Sequence, residues 1–383
     1  KLDLVVIGSG LSGLNFADEY SRSGKKINII SYVDENILNK NTNHKVNFLP
    51  IQMKGKNRNV ENYFNANNLE VGKDCKVLGA LDFGGLSNYW GLQIDNYINN
   101  DQKIGKKSFS LIESHFLKFL KEYNLIGSYF KNKKLLYKKE FNIPELLTPL
   151  IKEKHKNFIC KKPILGFFAG KKFNGNLDKI NENKDKLNSI NFLSKIKKNK
   201  RLIFHNYFVH KISKNKNYFE VLCKNKKEIK KFFVKKLVLA SGTIATTKLL
   251  AEYLNIKNEI KIKHHPRLLS VFFSKKPIKF NMIFTPSLLQ IIKNSSHDYY
   301  SADLRPGNKL ITDSIIEVFP FLKPIKAIIN LLRHRTIFSN ILLDSKHSNI
   351  FMKKINDKFK IYCKESDIKN KLKEKNKKVY KFL

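Results

Sequence analysis

The sequence has no apolar run of the ~18–20 residues that a membrane-spanning helix requires. The nearest stretch, residues 315–332, is interrupted by charged residues and prolines: Glu317, Pro320, Lys323, Pro324 and Lys326. The chain also opens directly on a strand-like run, residues 1–7, without the layout of a secretory signal. These absences predict a cytoplasmic protein without a transmembrane segment.

Cysteine is scarce and scattered. The four cysteines, Cys75, Cys160, Cys223 and Cys363, stand far apart, with no CxxC pair and no histidine at metal-ligand spacing. This distribution favours reduced thiols in a cytosolic protein over a disulfide framework or a zinc site. We therefore expect no metal site.

Acidic residues are also few. The chain carries 74 Lys and Arg against 32 Asp and Glu, a formal net charge of +42. Lysine greatly outnumbers arginine and is spread along the chain with asparagine and isoleucine, whereas specific nucleic-acid sites rely on arginine and on aromatics placed for stacking. The pattern favours AT-biased coding over a functional basic surface, and it predicts no specific nucleic-acid partner. Weak attraction to polyanions at low salt is still expected.

The first thirty residues predict strand, glycine turn, helix and strand. Residues 4–7 form the continuous apolar run of a strand buried on both faces, and residues 11–23 carry apolar positions at helical spacing. Between them stands Gly8-Ser9-Gly10-Leu11-Ser12-Gly13, a GxGxxG motif. The first glycine permits the tight turn, the second lets the backbone approach a pyrophosphate, and the third lets the helix pack on the strand. The unit predicts a dinucleotide site with the phosphates at the helix N-terminus.

The second strand, at 27–30, departs from this pattern where it ends. A carboxylate that binds the ribose hydroxyls is expected near position 31, but the chain has Ser31 there. A serine hydroxyl cannot accept from two ribose hydroxyls as a carboxylate does. Either the dinucleotide is bound more weakly, or Asp34 or Glu35 supplies the carboxylate.

Two further glycine elements follow. Residues 79–91, GALDFGGLSNYWG, hold the only tryptophan, Trp90, and their glycines and short polar side chains predict either a wrapped polar ligand or a turn over a core tryptophan. Residues 238–250, VLASGTIATTKLL, predict a second strand–glycine–helix junction, which taken alone fits an ordinary connection equally well.

The remaining segments support a coarser prediction. Residues 33–76 are polar and asparagine-rich and predict a surface excursion, and residues 107–127 predict a helix. An antiparallel meander feeding a buried strand at 236–240 is predicted from four short apolar runs, at 202–204, 208–212, 218–223 and 229–234. Residues 266–383 mix strand and helix signals and end in a lysine-rich, helix-prone tail.

Taken in order, these elements resemble the glucose–methanol–choline (GMC) oxidoreductase family. The resemblance rests on the fingerprint at 8–13, GGLSNYWG at 84–91, the strand-rich insertion at 201–234, ASGTIATTKLL at 240–250 and the His265-Pro266 pair. It implies FAD as the cofactor and oxidation of an alcohol by hydride transfer to the flavin.

The resemblance also implies cofactor contacts. It places Gly8, Gly10, Leu11, Ser12 and Gly13 at the pyrophosphate and Ser31 at the adenosine ribose. The pyrophosphate and flavin side would be lined by Gly84, Gly85, Ser87, Asn88 and Trp90. On the adenine side it places the backbone of Val209 together with Ser241 and Gly242.

A catalytic base is missing from this pattern. The family places a catalytic histidine in a C-terminal segment, but no histidine follows His347 in this chain. His264 and His265 are expected to be structural, and His205 and His210 to lie near the adenine end, so no catalytic residue is predicted. Two alternatives stay open: a truncated or degenerate flavoprotein without turnover, and a basic protein that binds polyanions or glycans.

The sequence as a whole predicts an α/β protein with a Rossmann-like FAD/NAD(P)-binding fold, an antiparallel meander insertion and a second, mixed α+β substrate or cap domain. The FAD-binding domain is predicted at 1–100 and 200–265, a cap or substrate region at 101–199 and a substrate domain at 266–383. The predicted function is FAD-dependent oxidation of the CH–OH group of an alcohol or sugar-like small molecule.

Overall fold

The computed structural model describes residues 1–32, 63–73, 75, 77–88, 90, 92–94, 106–131, 134–152, 158–196, 201–278, 286–293, 299–308, 312–313, 316 and 319–383. The strands in these ranges are β1 (Leu2–Ile7), β2 (Ile27–Ile30), β3 (Leu69–Val71), β4 (Gln93–Ile94), β5 (Leu125–Lys131), β6 (Lys134–Lys139), β7 (Ile159–Lys161), β8 (Ile164–Phe168), β9 (Leu202–His205), β10 (Phe208–Asn215), β11 (Tyr218–Lys224), β12 (Ile229–Leu239), β13 (Ile260–Ile262), β14 (Arg267–Phe273), β15 (Leu289–Lys293), β16 (Tyr300–Pro306), β17 (Thr336–Leu343), β18 (Ile350–Ile355) and β19 (Lys358–Cys363). The α-helices are α1 (Leu11–Ser21), α2 (Lys106–Glu122), α3 (Thr148–Lys152), α4 (Glu182–Asp185), α5 (Ser189–Ile196), α6 (Thr243–Tyr253), α7 (Lys326–Leu332) and α8 (Ile368–Phe382).

The chain divides into two compact units. Unit 1 comprises Lys1–Trp90, Leu187–Ile262 and Asn349–Lys364, and unit 2 comprises Gly91–Lys186, Lys263–Ser348 and Glu365–Leu383. Both units are therefore discontinuous in sequence. The assignment of a cofactor domain and a substrate domain to particular ranges stays a prediction.

Unit 1 is built on a six-stranded sheet in the order β10-β11-β12-β1-β2-β9. Strand β1 pairs in parallel with β12 on one side and β2 on the other, and β2 pairs in parallel with β9. The last four residues of β1, which are all apolar, and all four of β2, of which only Asn28 is polar, are buried, as suits strands covered on both faces. The predicted Rossmann-type βαβ unit is confirmed.

The meander is confirmed in part. Strands β10, β11 and β12 pair antiparallel in succession. Residues 202–205 do not belong to it: they form β9, which pairs with β2 as a parallel edge strand. The runs predicted separately at 229–234 and 236–240 are one strand, β12, whose first half pairs with β11 and whose second half pairs with β1.

A second sheet in unit 1 corrects two predictions. Its order is β13-β18-β19-β3, and Tyr63 and Leu69 enter the core beside it, so the described part of 33–76 is not a surface excursion. The parallel pairing of β3 with β19 brings Cys75 to Cys363, which form a disulfide, so the prediction of four reduced thiols is wrong. Cys160 and Cys223 are free thiols, and burial raises the pKa of each to about 12.

Unit 2 contains a five-stranded sheet, β14-β17-β16-β15-β7, and a four-stranded sheet, β4-β8-β5-β6. The lysine-rich tail forms α8 as predicted, and it buries Leu372 and Val379. The helix predicted at 107–127 ends earlier, at Glu122, because Asn124 takes a positive φ of 48° and the chain enters β5 directly afterwards. In the described part of the chain, no helix has both the length and the apolar character needed to cross a membrane.

Candidate functional site

The opening glycine turn lies at the carboxyl end of β1, between β2 and β12. The Gly8 N–H donates to Ile30 O at 2.9 Å, and the Ala240 N–H donates to Ile7 O at 2.8 Å. These bonds hold the ends of all three parallel strands around the turn. In open parallel sheets, ligands bind at this edge, where neighbouring connections leave in opposite directions.

The three glycines of the turn meet different surroundings. Gly8 has φ +110°, and a Cβ there would overlap the carbonyl group of Ala240. At Gly13 a Cβ would overlap Gly8 O and lie 3.3 Å from the Ala240 Cβ, which is the close helix–strand packing predicted for the third glycine. At Gly10, by contrast, the nearest atoms of the described residues would be Gly84 O at 3.9 Å and Ala240 O at 4.0 Å, so the described part of the fold leaves room for a side chain.

Helix α1 presents its N-terminus beside Gly10. Gly10 has φ −64° and ψ 169°, and no side chain in the described part of the chain caps the helix there. The first helical hydrogen bond runs from Leu14 N–H to Gly10 O at 3.0 Å. The N–H groups of Leu11, Ser12 and Gly13 precede it, and such first-turn donors with the positive end of the helix dipole suit an anion.

A chain of hydroxyl groups crosses the turn. Ser9, only 2% exposed, accepts from the Gly84 N–H at 3.0 Å, and its Oγ lies 2.6 Å from Ser31 Oγ. Ser31 is therefore tied to the turn, at the end of β2 where the ribose carboxylate was expected. Asp34 and Glu35, the alternative carboxylates, lie outside the described residues.

The second glycine element meets the turn at Gly84. A Cβ at Gly84 would lie 2.7 Å from the Ser189 Cβ, so glycine permits this close approach to the start of α5. Ser87 Oγ accepts from the Ser189 N–H at 3.1 Å and lies 2.8 Å from Ser189 Oγ. Asn88 is buried and donates through Nδ2 to Phe83 O at 2.8 Å. The structure thus uses Ser87 and Asn88 to hold this loop in shape.

Trp90 has a similar structural contact. Its indole Nε1–H donates to Leu187 O at 2.9 Å, two residues before α5 begins. Gly85 opens a short 3₁₀ turn, and its N–H donates to Asp82 O at 2.9 Å. Among the described residues only Ala80 O, at 3.7 Å, would lie near an added Cβ. Gly91, the last residue of the element, lies outside the described residues.

The third glycine junction begins α6. Gly242 has φ +82°, a region that favours glycine, and no heavy atom of a described residue packs within 4 Å of an added Cβ. Ser241 Oγ lies 3.1 Å from Thr246 Oγ1, and the Thr246 N–H donates to Gly242 O at 2.9 Å. The described residues therefore leave space beside Gly242 at the start of α6.

Val209 lies apart from the glycine loops, in β10. A register shift between Val209 and Lys211 bulges the strand, leaving His210 as the extra residue. The Val209 side chain packs in the core with Ile7 and Ile30, so only its main chain is available to a ligand.

The structure brings together Gly8, Gly10, Gly13, Ser31, Gly84, Ala240 and Ser241 around one turn. Sequence reasoning missed Ser9 and Ser189, whose hydroxyls join the loops. Ser9 stands inside the motif, but the residues of a GxGxxG between its glycines are unspecified; Ser189 is brought in by a fold contact 102 residues from Ser87. Among the described residues, no group of three or more His, Cys, Asp or Glu side chains could hold a metal ion.

His205 and His210, the described histidines of unit 1, have the surroundings of structural residues. His205 Nε2 lies 2.8 Å from Asn28 Oδ1, and burial, with a smaller contribution from Lys230, lowers the His205 pKa. Burial and then Lys224 and Lys248 lower the pKa of His210. Neither arrangement identifies a catalytic base.

No protein-family model and no curated protein matches this chain. Solved structures with a partial likeness include a p-nitrophenol 4-monooxygenase from Pseudomonas putida, 11% identical, covering 71% of this chain and 48% of that chain, with a TM-score of 0.29. A flavoprotein/dehydrogenase from Cytophaga hutchinsonii is 9% identical, covering 90% of this chain and 57% of that chain, with a TM-score of 0.31. CabE, an aromatic hydroxylase from angucycline biosynthesis, is 7% identical, covering 90% of this chain and 44% of that chain, with a TM-score of 0.33.

The chain thus spans 44% to 57% of the length of these three solved structures. At TM-scores of 0.29 to 0.33 the likeness assigns no activity. The fold stated above rests on the strand order and register of this chain itself.

Proposed function

We propose that the chain binds FAD at the opening glycine turn and is an FAD-dependent oxidoreductase. The observation that supports this most directly is the setting of Gly10. It faces Gly84 O and Ala240 O at distances that a side chain would tolerate, at the mouth of an uncapped helix. A glycine that the fold does not require is explained by a group that must approach the backbone closely.

The residues present fit a dinucleotide. Leu11, Ser12 and Gly13 offer main-chain N–H groups to a diphosphate, and the positive end of α1 stabilises its charge. Gly85 and Gly242 leave space beside the loops that flank the turn. Ser31 fits a dinucleotide least well, because its hydroxyl stands in place of the carboxylate that binds the ribose and is already hydrogen-bonded to Ser9.

The flavin, when bound, supplies a two-electron acceptor for hydride. The protein's own residues then have three tasks in unit 1. The N-terminus of α1 binds and orients the diphosphate, Ser31 offers one hydroxyl to the ribose, and the loop at 84–88 is held rigid by Ser87 and Asn88 so that the turn keeps its shape.

The finer proposal is oxidation of a CH–OH group in an alcohol or sugar-like substrate, which the GMC resemblance implies. A polar row on the five-stranded sheet of unit 2 supports it. Gln290 and Asn340 stand opposite Asp303 in the pairings of β15 and β17 with β16, so their side chains share one face. Gln93 donates through Nε2 to Asp303 Oδ1 at 2.9 Å.

This row offers the chemistry that hydroxyl groups need. Gln290 is 3% exposed, and among the described residues the buried amide oxygens of Gln93 and Gln290 have no hydrogen-bond donor. Arg305 lies on the same face, two residues after Asp303; burial lowers its pKa and Asp303 opposes that shift. Acceptors and a cationic donor on one face suit a polyol, whose hydroxyls both donate and accept.

The test begins with the absorbance spectrum of the purified chain, followed by titration with FAD. Flavin bands near ~450 nm, or saturable uptake of added FAD, are the expected result. A panel of aliphatic alcohols and sugars with an artificial dye acceptor then measures turnover. A colourless protein that takes up no FAD, yet is retained on a polyanion in a salt-sensitive way, would instead indicate a basic binding protein.

Measurement of turnover distinguishes an active oxidoreductase from the remaining alternative, a flavoprotein without this activity. A flavin-bound chain that reduces no dye with any alcohol would be a flavoprotein without this activity, and the finer proposal would fail while the cofactor assignment survived. Gln290→Leu tests the proposed substrate contact separately from the cofactor site. This variant should raise KM for a polyol and leave FAD affinity unchanged.

A further inference from the structure

The segment from Phe319 to Arg335 in unit 2 exposes apolar side chains that a folded chain normally buries. It consists of a 3₁₀ turn (Pro320–Ile325), helix α7 and a second 3₁₀ turn (Arg333–Arg335), and none of their residues is buried. The large apolar side chains that are exposed here are Phe319, Phe321, Ile325, Ile328, Leu331 and Leu332. Phe321 and Leu331 are each 75% exposed.

Helix α7 exposes most of its apolar side chains. Ile328, Leu331 and Leu332 lie on one helical face at i, i+3 and i+4 spacing, and all three side chains are exposed. Asn330 faces inward instead, with its amide oxygen buried and without a hydrogen-bond partner among the described residues. Packing of α7 on the described residues of its own unit therefore does not explain the exposed apolar side chains, and exposed apolar surface of this kind marks an interaction site.

A neighbouring loop extends the surface. The Ser274 N–H donates to Arg335 O at 2.7 Å, and Arg335 donates to Lys275 O at 3.0 Å. The loop places exposed Lys275 and Lys276, with exposed Phe273, beside the second 3₁₀ turn. We call residues 273–276 and 319–335 together the basic apolar surface.

The charges of this surface have one sign. Between 319 and 335 every charged residue is basic: Lys323, Lys326, Arg333 and Arg335. One of them, Lys326, is paired, with Asp313 at 2.9 Å. Long basic side chains can lie along apolar surface and reach outward with their charged ends, as they do at membrane interfaces.

We propose that the basic apolar surface docks on an anionic lipid bilayer, with its aromatic and aliphatic side chains inserted among the acyl chains and its basic groups at the headgroups. This combination is what interfacial membrane binding requires: buried apolar area plus attraction of lysine and arginine to anionic lipid. A second copy of the chain is the weaker occupant, because two chains of formal charge +42 repel each other. The binding is peripheral, since the segment is short and interrupted.

The test is co-sedimentation of the full chain with vesicles of phosphatidylglycerol and phosphatidylcholine. Phe321→Ser with Leu331→Ser should lower the partition coefficient about tenfold or more, since two large side chains no longer leave water. Ile229→Ser is the matched control: Ile229 is 74% exposed on β12 of unit 1, and its loss should leave binding unchanged. Lys323→Gln should weaken binding mainly at low salt.

Insertion of the surface into the bilayer is measured separately, by tryptophan fluorescence. The chain has one tryptophan, Trp90, so Phe321→Trp adds a second reporter on the surface. Its emission should shift to the blue and be quenched by brominated acyl chains, whereas the wild-type protein should show neither effect. Equal vesicle binding by the double serine variant and the wild type would mean general cationic adsorption and would overturn the proposal. Concentration-dependent dimerisation that the double variant abolishes would overturn it in favour of a second copy.

Discussion

Replacement of Gly10 by alanine separates the needs of the fold from those of a bound cofactor. The backbone at Gly10, φ −64° and ψ 169°, is open to any residue, and the added Cβ would meet Gly84 O and Ala240 O only at 3.9 and 4.0 Å. Gly→Ala at a compatible position stabilises a fold by about 0.4–1 kcal/mol through the unfolded chain. Alanine is less favourable than glycine at a helix N-cap, and this offsets the gain at the start of α1, so Gly10→Ala should leave the free energy of unfolding close to unchanged.

The same methyl group would stand where a diphosphate must approach the backbone. Losing or lengthening even one charge-assisted hydrogen bond costs about 1.5–3 kcal/mol, so FAD affinity should fall by ~10- to 100-fold. Gly13→Ala is the contrasting variant. Its Cβ would overlap Gly8 O, and such overpacking should lower the free energy of unfolding by about 1–3 kcal/mol.

The assay pairs urea unfolding of the apoprotein with FAD titration followed by flavin fluorescence. The reasoning requires Gly10→Ala to fold normally and bind FAD poorly. If that variant bound FAD with wild-type affinity at unchanged stability, the turn would not approach a phosphate and the cofactor assignment at this site would be refuted.

Three further predictions concern other parts of unit 1. Ser31→Asp should tighten FAD binding about fivefold, because one added hydrogen bond to the ribose contributes about 1 kcal/mol; unchanged affinity in the titration would remove position 31 from the ribose. Ellman titration in urea should find the two free thiols without reductant, because Cys75 and Cys363 are paired, and Cys363→Ser should lower the free energy of unfolding by about 2–4 kcal/mol; a count of four thiols would contradict the pairing. Because burial lowers the folded-state pKa of His205, the unfolded chain binds a proton first as pH falls below ~6.5, so stability that is complete above that pH is lost below it. His205→Gln should flatten this decline in urea unfolding between pH 7.5 and 5.5, and an identical decline in the variant would argue against the histidine.

The local sequence determined the first βαβ unit and the start of α6. In the first thirty residues, strand, turn and helix are neighbours in the chain, so their signals depend on steric preferences over a few residues. Gly13 illustrates this: its spacing from Gly8 predicted close packing, and the structure shows a Cβ there overlapping Gly8 O. The lysine-rich tail was equally predictable as a helix, since its composition favours that conformation.

Pairings between distant segments were decided only by the tertiary structure. The run at 202–205 looks the same whether it joins a meander or a parallel edge, and only its register with Ile27–Ile30 selects the edge. Cys75 and Cys363, 288 residues apart, meet because β3 lies beside β19. The roles of Ser9 and Ser189 follow in the same way from loops that converge in space.

The apolar run at 315–332 illustrates both what the sequence determined and what only the tertiary structure decided. Its prolines and lysines were enough to exclude a membrane span, because that exclusion depends only on length and composition. Which face of α7 turns outward depends on what its unit places beneath it, and the structure places Asn330 inward and the apolar side chains outward. Sequence patterns determine which elements can form, whereas the direction each element faces is decided by the long-range packing that surrounds it.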